Sequence, residues 1–423
     1  MTALSLGVLA SGAFAADVSI KGNAIETLDA SDNYFLANTP SGSTARPLTA
    51  GTLDVLTQTQ TTNYLLDANY SYYKYFGPGT ADTSLTWGTP ASARFIIDHT
   101  EQLTKYNAAA TWARSDAATT SLAQTGAATG HGSINTYAVD GSIIHDLSRT
   151  DFIAWTAHAS TVSFTDPTQT PYNDIMTMAT WNHTLSQTTT LNNSVGLDWF
   201  AQDNLAKSQR LFWTITSGLQ SKLSSRLTFN GNVIAYVANS YQTGVAQSTN
   251  SSGGFQPLVG AGKSYGVNIG LTYDLLKTTN VSLFAARAII PTFTGQLQMS
   301  DTVGLSLIHR INQLASLSFS TQFAQTKSPS QSGQFTSNGS KSDFFSASAN
   351  YSYQLTREWR TNLAYTYRQR DDNTGIARSN TILFALARDF TLLGNPTAIN
   401  VAEKERAKER AQQTVGYVFP NLY

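Results

Sequence analysis

The chain has 423 residues, 27 basic and 27 acidic side chains, and no cysteine. Charged residues make up 13% of it and aromatic residues 11%; a soluble globular protein usually carries roughly 25% charged residues. Zero net charge excludes a field that would attract nucleic acid, and the missing cysteines exclude disulfides, thiolate metal sites and cysteine nucleophiles. No window is apolar over the roughly eighteen residues that a membrane-spanning helix needs, which leaves a β-barrel as the way such a chain could cross a bilayer.

At the N-terminus an apolar stretch from Ala3 to Phe14 leads into Ala13-Phe14-Ala15, a small-x-small pattern ahead of Ala16 and Asp17. Residues 1–15 therefore read as an export signal, although the basic residues that usually open one are missing. Strands are predicted over 18–30, 49–59, 62–76, 83–98, 103–115 and 133–146. In the fourth of these, Gly88, Thr89 and Pro90 interrupt the alternation, and Pro90 has no N–H to give a neighbouring strand.

From residue 133 onward the pattern is regular. Tyr265, Val267, Ile269, Leu271, Tyr273 and Leu275 fall on one face and Ser264, Gly266, Asn268, Gly270, Thr272 and Asp274 on the other, the period of a strand with one apolar and one polar side. Phe345, Ala347, Ala349, Tyr351 and Tyr353 alternate in the same way with Ser346 to Gln354, and Trp359, Thr361, Leu363, Tyr365 and Tyr367 with Arg360 to Arg368. Short turns are predicted at Leu147-Ser148-Arg149, Leu185-Ser186-Gln187, Leu223-Ser224-Ser225, Leu276-Lys277-Thr278, Ile311-Asn312-Gln313 and Leu355-Thr356-Arg357. Between them lie long polar segments, 240–264, 325–343 and 368–378.

Short turns at one end and long loops at the other are the mark of an all-β transmembrane antiparallel barrel in the outer membrane, with the short turns in the periplasm. Twelve strands between Thr150 and Phe390, added to those upstream, give about eighteen, with sixteen as the fallback. Tyr70, Tyr72, Tyr351, Tyr353, Tyr365 and Tyr367 are placed for interfacial girdles. The barrel should occupy 16–390, closing on Ile382, Phe384, Leu386, Arg388 and Phe390, where Arg388 would have to snorkel to headgroups. Residues 391–423 form an extension. Its segment Glu403-Lys404-Glu405-Arg406-Ala407-Lys408-Glu409-Arg410 is a short helix with opposite charges three and four apart, either solvated in the periplasm or folded into the lumen.

The run Glu26-Thr27-Leu28-Asp29-Ala30-Ser31-Asp32-Asn33, followed by Leu48-Thr49-Ala50-Gly51-Thr52-Leu53 and by the downstream hairpins, resembles a broad group of porin-like outer-membrane β-barrel proteins of Gram-negative bacteria. Members of that group are often encoded beside exopolysaccharide production systems. The resemblance spans nearly the whole chain in rhythm more than in identities. It implies a part in polysaccharide export or surface assembly, with polysaccharide or periplasmic export components as partners beside outer-membrane lipid and lipopolysaccharide. It carries over no functional residues, and the extension after Phe390 departs from the group's usual ending.

Catalytic chemistry has little to stand on. The histidines, His99, His131, His145, His158, His183 and His309, lie in no nucleophile motif, and no His-x-x-x-His pair or phosphate-cradling glycine loop occurs. No enzyme activity and no cofactor is expected; Asp371-Asp372-Asn373 could contribute to a calcium site but reads more simply as solvated. The functional candidates are polar groups predicted to face the lumen: Asp67, Asn69, Asp198, Asn268, Asp274, Arg360, Asn362, Arg368 and Arg370. They would serve either as paired ballast or as a charged constriction. The expected function is passive passage of polysaccharide, oligosaccharide or small polar solutes. The alternative is a closed barrel that binds or anchors surface material through its outer loops.

Overall fold

A computed structural model describes residues 17–82, 87–125, 132–167, 169–203, 208–242, 261–291, 297–327 and 341–394. The predicted export signal, His131, the predicted C-terminal helix and most of the predicted loops 240–264 and 325–343 lie outside these residues.

Eighteen antiparallel strands close on themselves. In chain order the staves are β1 (Asp17–Ser31), β2 (Thr44–Gln58), β3 (Thr62–Lys74), then, after a two-residue strand β4 (Trp87–Gly88), β5 (Ala91–Thr100), β6 (Thr104–Asp116), β7 (Ser133–Asp146), β8 (Asp151–Phe164) and β9 (Tyr172–Ser186). The rest are β10 (Thr189–Gln202), β11 (Ser208–Lys222), β12 (Leu227–Gln242), β13 (Ala261–Leu276), β14 (Thr279–Pro291), β15 (Leu297–Arg310), β16 (Ala315–Lys327), β17 (Lys341–Gln354), β18 (Trp359–Asp372) and β19 (Gly375–Leu393). Each stave pairs with its sequence neighbours, and β1 closes the ring against β19 from Ile20↔Leu393 to Ser31↔Thr381. A closed ladder leaves no edge, so each strand's backbone donors and acceptors find partners without water.

The turns at one end are two to four residues long and include all six predicted from the sequence. Two predictions are corrected. The expected strand 83–98 becomes a stave only at Ala91, because Pro90 cannot donate; its carbonyl instead accepts the Ser71 N–H (2.9 Å). The expected long loop 368–378 is strand on both sides of the turn Asn373-Thr374. There Asp372 accepts the Thr374 N–H (2.8 Å), and Gly375 takes φ +130°, a conformation side chains rarely adopt. β19 also runs past Phe390 to Leu393.

Cross-strand register sorts every stave into two faces. Outward lie Leu66, Ile97, Ile143, Val195, Val233, Ile269, Leu283, Leu305, Phe319, Leu363 and Phe384, many of them exposed large apolar side chains. Tyr64, Tyr106, Tyr273, Tyr353 and Trp359 flank this belt toward the short turns, and Tyr72, Trp112, Tyr137, Trp199, Trp213 and Tyr265 flank it toward the long loops. Outward charges gather near the ends. Arg287 grips Asp301 (Nη2 to Oδ2, 2.7 Å) and Lys341 pairs with Asp343 (2.8 Å) on the loop side. On the turn side Arg388 lies over the rings of Trp359 (5.3 Å) and Phe390 (5.0 Å) and meets Glu358 at 3.1 Å. Its charge is thus met by a partner and two π-faces at the interface.

An apolar belt between two aromatic girdles, on a barrel with short turns at one end, defines an outer-membrane β-barrel. Leu283 faces lipid within the belt and Ser282 faces the lumen. Leu283→Arg should destabilise the barrel by about 2–4 kcal/mol in reversible urea unfolding from vesicles, whereas Ser282→Arg should cost well under half of that. Equal costs would mean that the two faces are wrongly assigned.

Candidate functional site: the lumen wall

Eighteen strands spaced about 4.8 Å apart and tilted about 40° make a backbone cylinder roughly 36 Å across, wide enough for an aqueous channel. Among the described residues, two segments fold from the loop end onto its inner wall. The first is residues 32–43. Asn33 Nδ2 donates to the carbonyls of Ala37 (2.8 Å) and Arg378 (2.9 Å), and its Oδ1 accepts the Ala37 N–H (2.9 Å), which curls the chain and carries Leu36 through φ +51°. Leu36 is fully buried against Ala377 and Phe344, both inner-wall side chains.

Beside it Tyr34 and Phe35 meet Tyr75 edge to face, each pair of centroids 5.1 Å apart, and pack with Tyr73 and Leu48. The Arg46 guanidinium sits over Tyr34 (5.2 Å), Tyr73 (5.1 Å) and Tyr75 (5.9 Å) and bonds Asp29 through Nη2 (2.6 Å) and Nε (3.1 Å). A buried guanidinium is tolerable here because a carboxylate and three ring faces replace its water. Pro47 falls where the β2–β3 ladder opens, between Leu48↔Tyr73 and the isolated bridge Ala45↔Phe76, a break that its missing N–H accounts for.

The second segment is the helix α1 (Ala117–Thr125), whose Ala117 packs on Ile134 of β7 and Val162 of β8, again inner-wall residues. The Tyr73 hydroxyl donates to Asp116 and ties the two segments together. Gly88 lies directly over that bond: a Cβ there would come 2.6 Å from Asp116 Oδ2, so only glycine fits.

Deeper in the barrel the inner wall divides. On the consecutive staves β7 to β10, His158 Nδ1 bonds Asp140 (2.7 Å), and the carboxyls of Asp174 and Asp198 are in hydrogen-bonding contact. Nearly opposite is β18, separated from β10 by β11–β17 in one direction and by β19 and β1–β9 in the other. Arg368 and Asp198 each stand nine residues beyond the first residue of their strands at the short-turn end. Arg370, one inward position further along, holds Asp372 (2.9 Å) and Asn38 of the first in-folded segment (3.2 Å).

Between these charged sectors runs a neutral one. From β12 to β17 the inward side chains are mainly Ser, Thr, Asn, Gln, Gly and Ala, among them Asn232, Asn268, Thr302, Ser320, Gln322 and Ser348. Ser320 and Ser348 share a hydrogen bond (2.8 Å) across β16 and β17.

The residues singled out from sequence all occupy inward register positions but do not converge on one site. Asp67 stands opposite Arg94, and Asn69 donates to Ser92 (2.7 Å) on the same pair of strands. Asp198 belongs to the acidic sector, and Arg368 and Arg370 to the basic one. Arg360 pairs with Asp389 at 3.6 Å near the turn end, one inward position below Asn362. Asp274 accepts from Asn280 (2.8 Å) at that same end, remote from the rest, and Asn268 lies in the neutral sector opposite Asn232. Asp372 is engaged by Arg370 and Thr374, and the described residues hold no group of three metal-ligating side chains.

Sequence reading missed Asp140, His158, Asp174 and both in-folded segments. The period-2 pattern of β7 to β9 does put the first three on the inner face, but nothing in it reports that Asp174 reaches Asp198. An apolar inner patch of Leu56, Leu65, Ile96 and Ala109 was equally hidden, since alternation alone assigns large apolar side chains to lipid.

No family model and no curated protein matches the sequence. Among solved structures the chain is similar to OccAB3 of Acinetobacter baumannii (TM-score 0.46, 9% identity, covering 89% of this chain and 100% of that one). It is also similar to OccK2 (OpdF) of Pseudomonas aeruginosa in complex with glucuronate (0.47, 9%, 90% and 99%) and to the ferric-catecholate import receptor Fiu of E. coli K12 (0.47, 10%, 88% and 82%). At these scores the likeness is one of general barrel form, and the assignment to the outer membrane rests on the chain's own belt, girdles and closure.

A unit charge 10 Å from an ion's path in water is worth about 0.4 kcal/mol, roughly a factor of two in local concentration. If a conducting path passes between these sectors, Arg368→Gln should raise the potassium-to-chloride permeability ratio by about that factor, whereas Asp198→Asn should change it much less, because two carboxyls that share a hydrogen bond share a proton. Reversal potentials in a salt gradient read the ratio; an unchanged ratio in Arg368→Gln would show that this charge does not face a conducting path.

Proposed function

We propose that the barrel is a passive outer-membrane channel for polar solutes, with neutral oligosaccharides as the favoured class. The observation that carries this is the division of the lumen wall: a broad sector of hydroxyls and amides, free of charge at mid-height, faced by charged groups on the other staves. Hydroxyl and amide side chains exchange hydrogen bonds with sugar hydroxyls as readily as with water, so a sugar can move along the wall without a deep well. The resemblance to barrels encoded beside exopolysaccharide systems points to the same solute class.

The segment 32–43 sets the width at the mouth, and its seating depends on Asn33 and Leu36. Proteoliposomes of the refolded full-length chain are expected to swell in maltotriose faster than in an anionic solute of similar size. Asn33→Ala combined with Leu36→Gly should widen the mouth and raise both rates together with the single-channel conductance. Vesicles that stay tight to sugars, with or without these substitutions, would dismiss the channel and favour a closed barrel that binds surface material through its loops.

A further inference from the structure

Four histidines occupy one repeated position. His99, His145, His183 and His309 lie near the turn end of β5, β7, β9 and β15, His183 as the fourth residue from the end of its strand and the other three as the second, and all face outward by register. Each stands opposite the first residue of the preceding stave: Thr62↔His99, Thr104↔His145, Asp151↔His183 and Thr279↔His309. In all four the Nδ1 atom is bonded to that residue's side chain, at 2.8, 2.9, 2.7 and 2.8 Å respectively. The equivalent positions on other staves hold Ser221, Tyr273, Tyr353 and Arg388, so the row continues around the barrel as polar-tipped side chains.

Anchoring aromatics alone does not account for this. Phe or Trp would bury more apolar surface at the interface, and a polar ring on the lipid side is accommodated only where headgroups begin. Where a threonine hydroxyl donates to Nδ1, the ring proton of a neutral imidazole sits on Nε2. Nε2 is then the ring atom left to donate. His183 differs in that Asp151 holds its Nδ1, and its ring stacks on Trp181 with centroids 5.5 Å apart. The charged groups facing the row are Glu101, 3.6 Å from His99 Nε2, Asp151 beside His183, and Glu358 beside Arg388.

We propose that this row is a phosphate-recognising belt: the imidazole Nε2–H groups of His99, His145 and His309, with His183 and Arg388, bind the phosphodiesters of phospholipids in the periplasmic leaflet. The belt fixes the height of the barrel in the membrane by hydrogen bonds directed at one headgroup atom type, and it is independent of what crosses the lumen.

The test is native mass spectrometry of the full-length chain released from mixed micelles containing phosphatidylglycerol and a phosphate-free galactosyl diacylglycerol. The wild type is expected to retain the phospholipid severalfold over the galactolipid. Replacing all four histidines by Phe keeps a ring at each position and should erase that preference. Thr62→Val, Thr104→Val and Thr279→Val together keep every imidazole but release Nδ1, and should weaken the preference without abolishing it. Should the fourfold variant fail to insert, His309→Phe alone, with Thr279→Val beside it, reads the same effect at one position. An unchanged preference in the histidine variants, or none in the wild type, overturns the proposal. Displacement of the lipid by excess inorganic phosphate would make this a site for free phosphate and overturn the lipid assignment.

Discussion

Closure of β1 on β19 is the interaction on which the rest of the structure depends. These strands are separated by nearly the whole chain, yet their ladder runs along most of β1 and completes the ring. In hydrocarbon an unpaired N–H or C=O costs several kcal/mol, so an open sheet of these strands would have no stable place in a bilayer. Once closed, the sheet has one outside and one inside, and the period-2 alternation of each strand acquires a meaning it lacks in isolation.

That constraint explains the distribution of charge. Outside, charges are kept near the ends of the staves and given partners, as with Arg287 on Asp301 and Arg388 on Glu358, Trp359 and Phe390. Glu26 also faces outward, where Thr49 donates to its carboxylate (2.9 Å). Inside, the acidic groups of β7 to β10 stand nearly opposite Arg368 and Arg370 of β18, while β12 to β17 are free of charge at mid-height.

The lumen is shaped by the same economy of polar groups. Residues 32–43 lie inside the mouth with the Ala37 N–H and C=O both bonded to Asn33, with Asn38 bonded to Arg370 of the wall, and with Tyr34 under the Arg46 guanidinium that Asp29 holds. The aromatic cage around Arg46 joins β1, β2 and β3 to that segment, and the Tyr73–Asp116 bond continues the connection to the helix on β7 and β8. The narrowing is therefore built from contiguous side-chain contacts that begin on the barrel wall itself.

Much of the barrel was legible in the sequence because its causes are local. Alternation in residues 264–275 and 345–367 follows from what each face of one strand must touch, and turns such as Leu147-Ser148-Arg149 announce themselves within a few residues. Even Arg388, an oddity in an apolar face, could be placed at an interface. Pro90 showed where a strand would fail, though not that the stave would start immediately after it. What tertiary structure alone decided are the relations between distant strands: that Arg368 stands on a stave nearly opposite that of Asp198, that Asp174 touches Asp198, that Leu36 finds Ala377 and Phe344, and that four histidines far apart in the chain form one row. Each depends on strand tilt and stagger accumulated around the ring, a quantity set by the closed hydrogen-bond register and carried by no single segment of the chain.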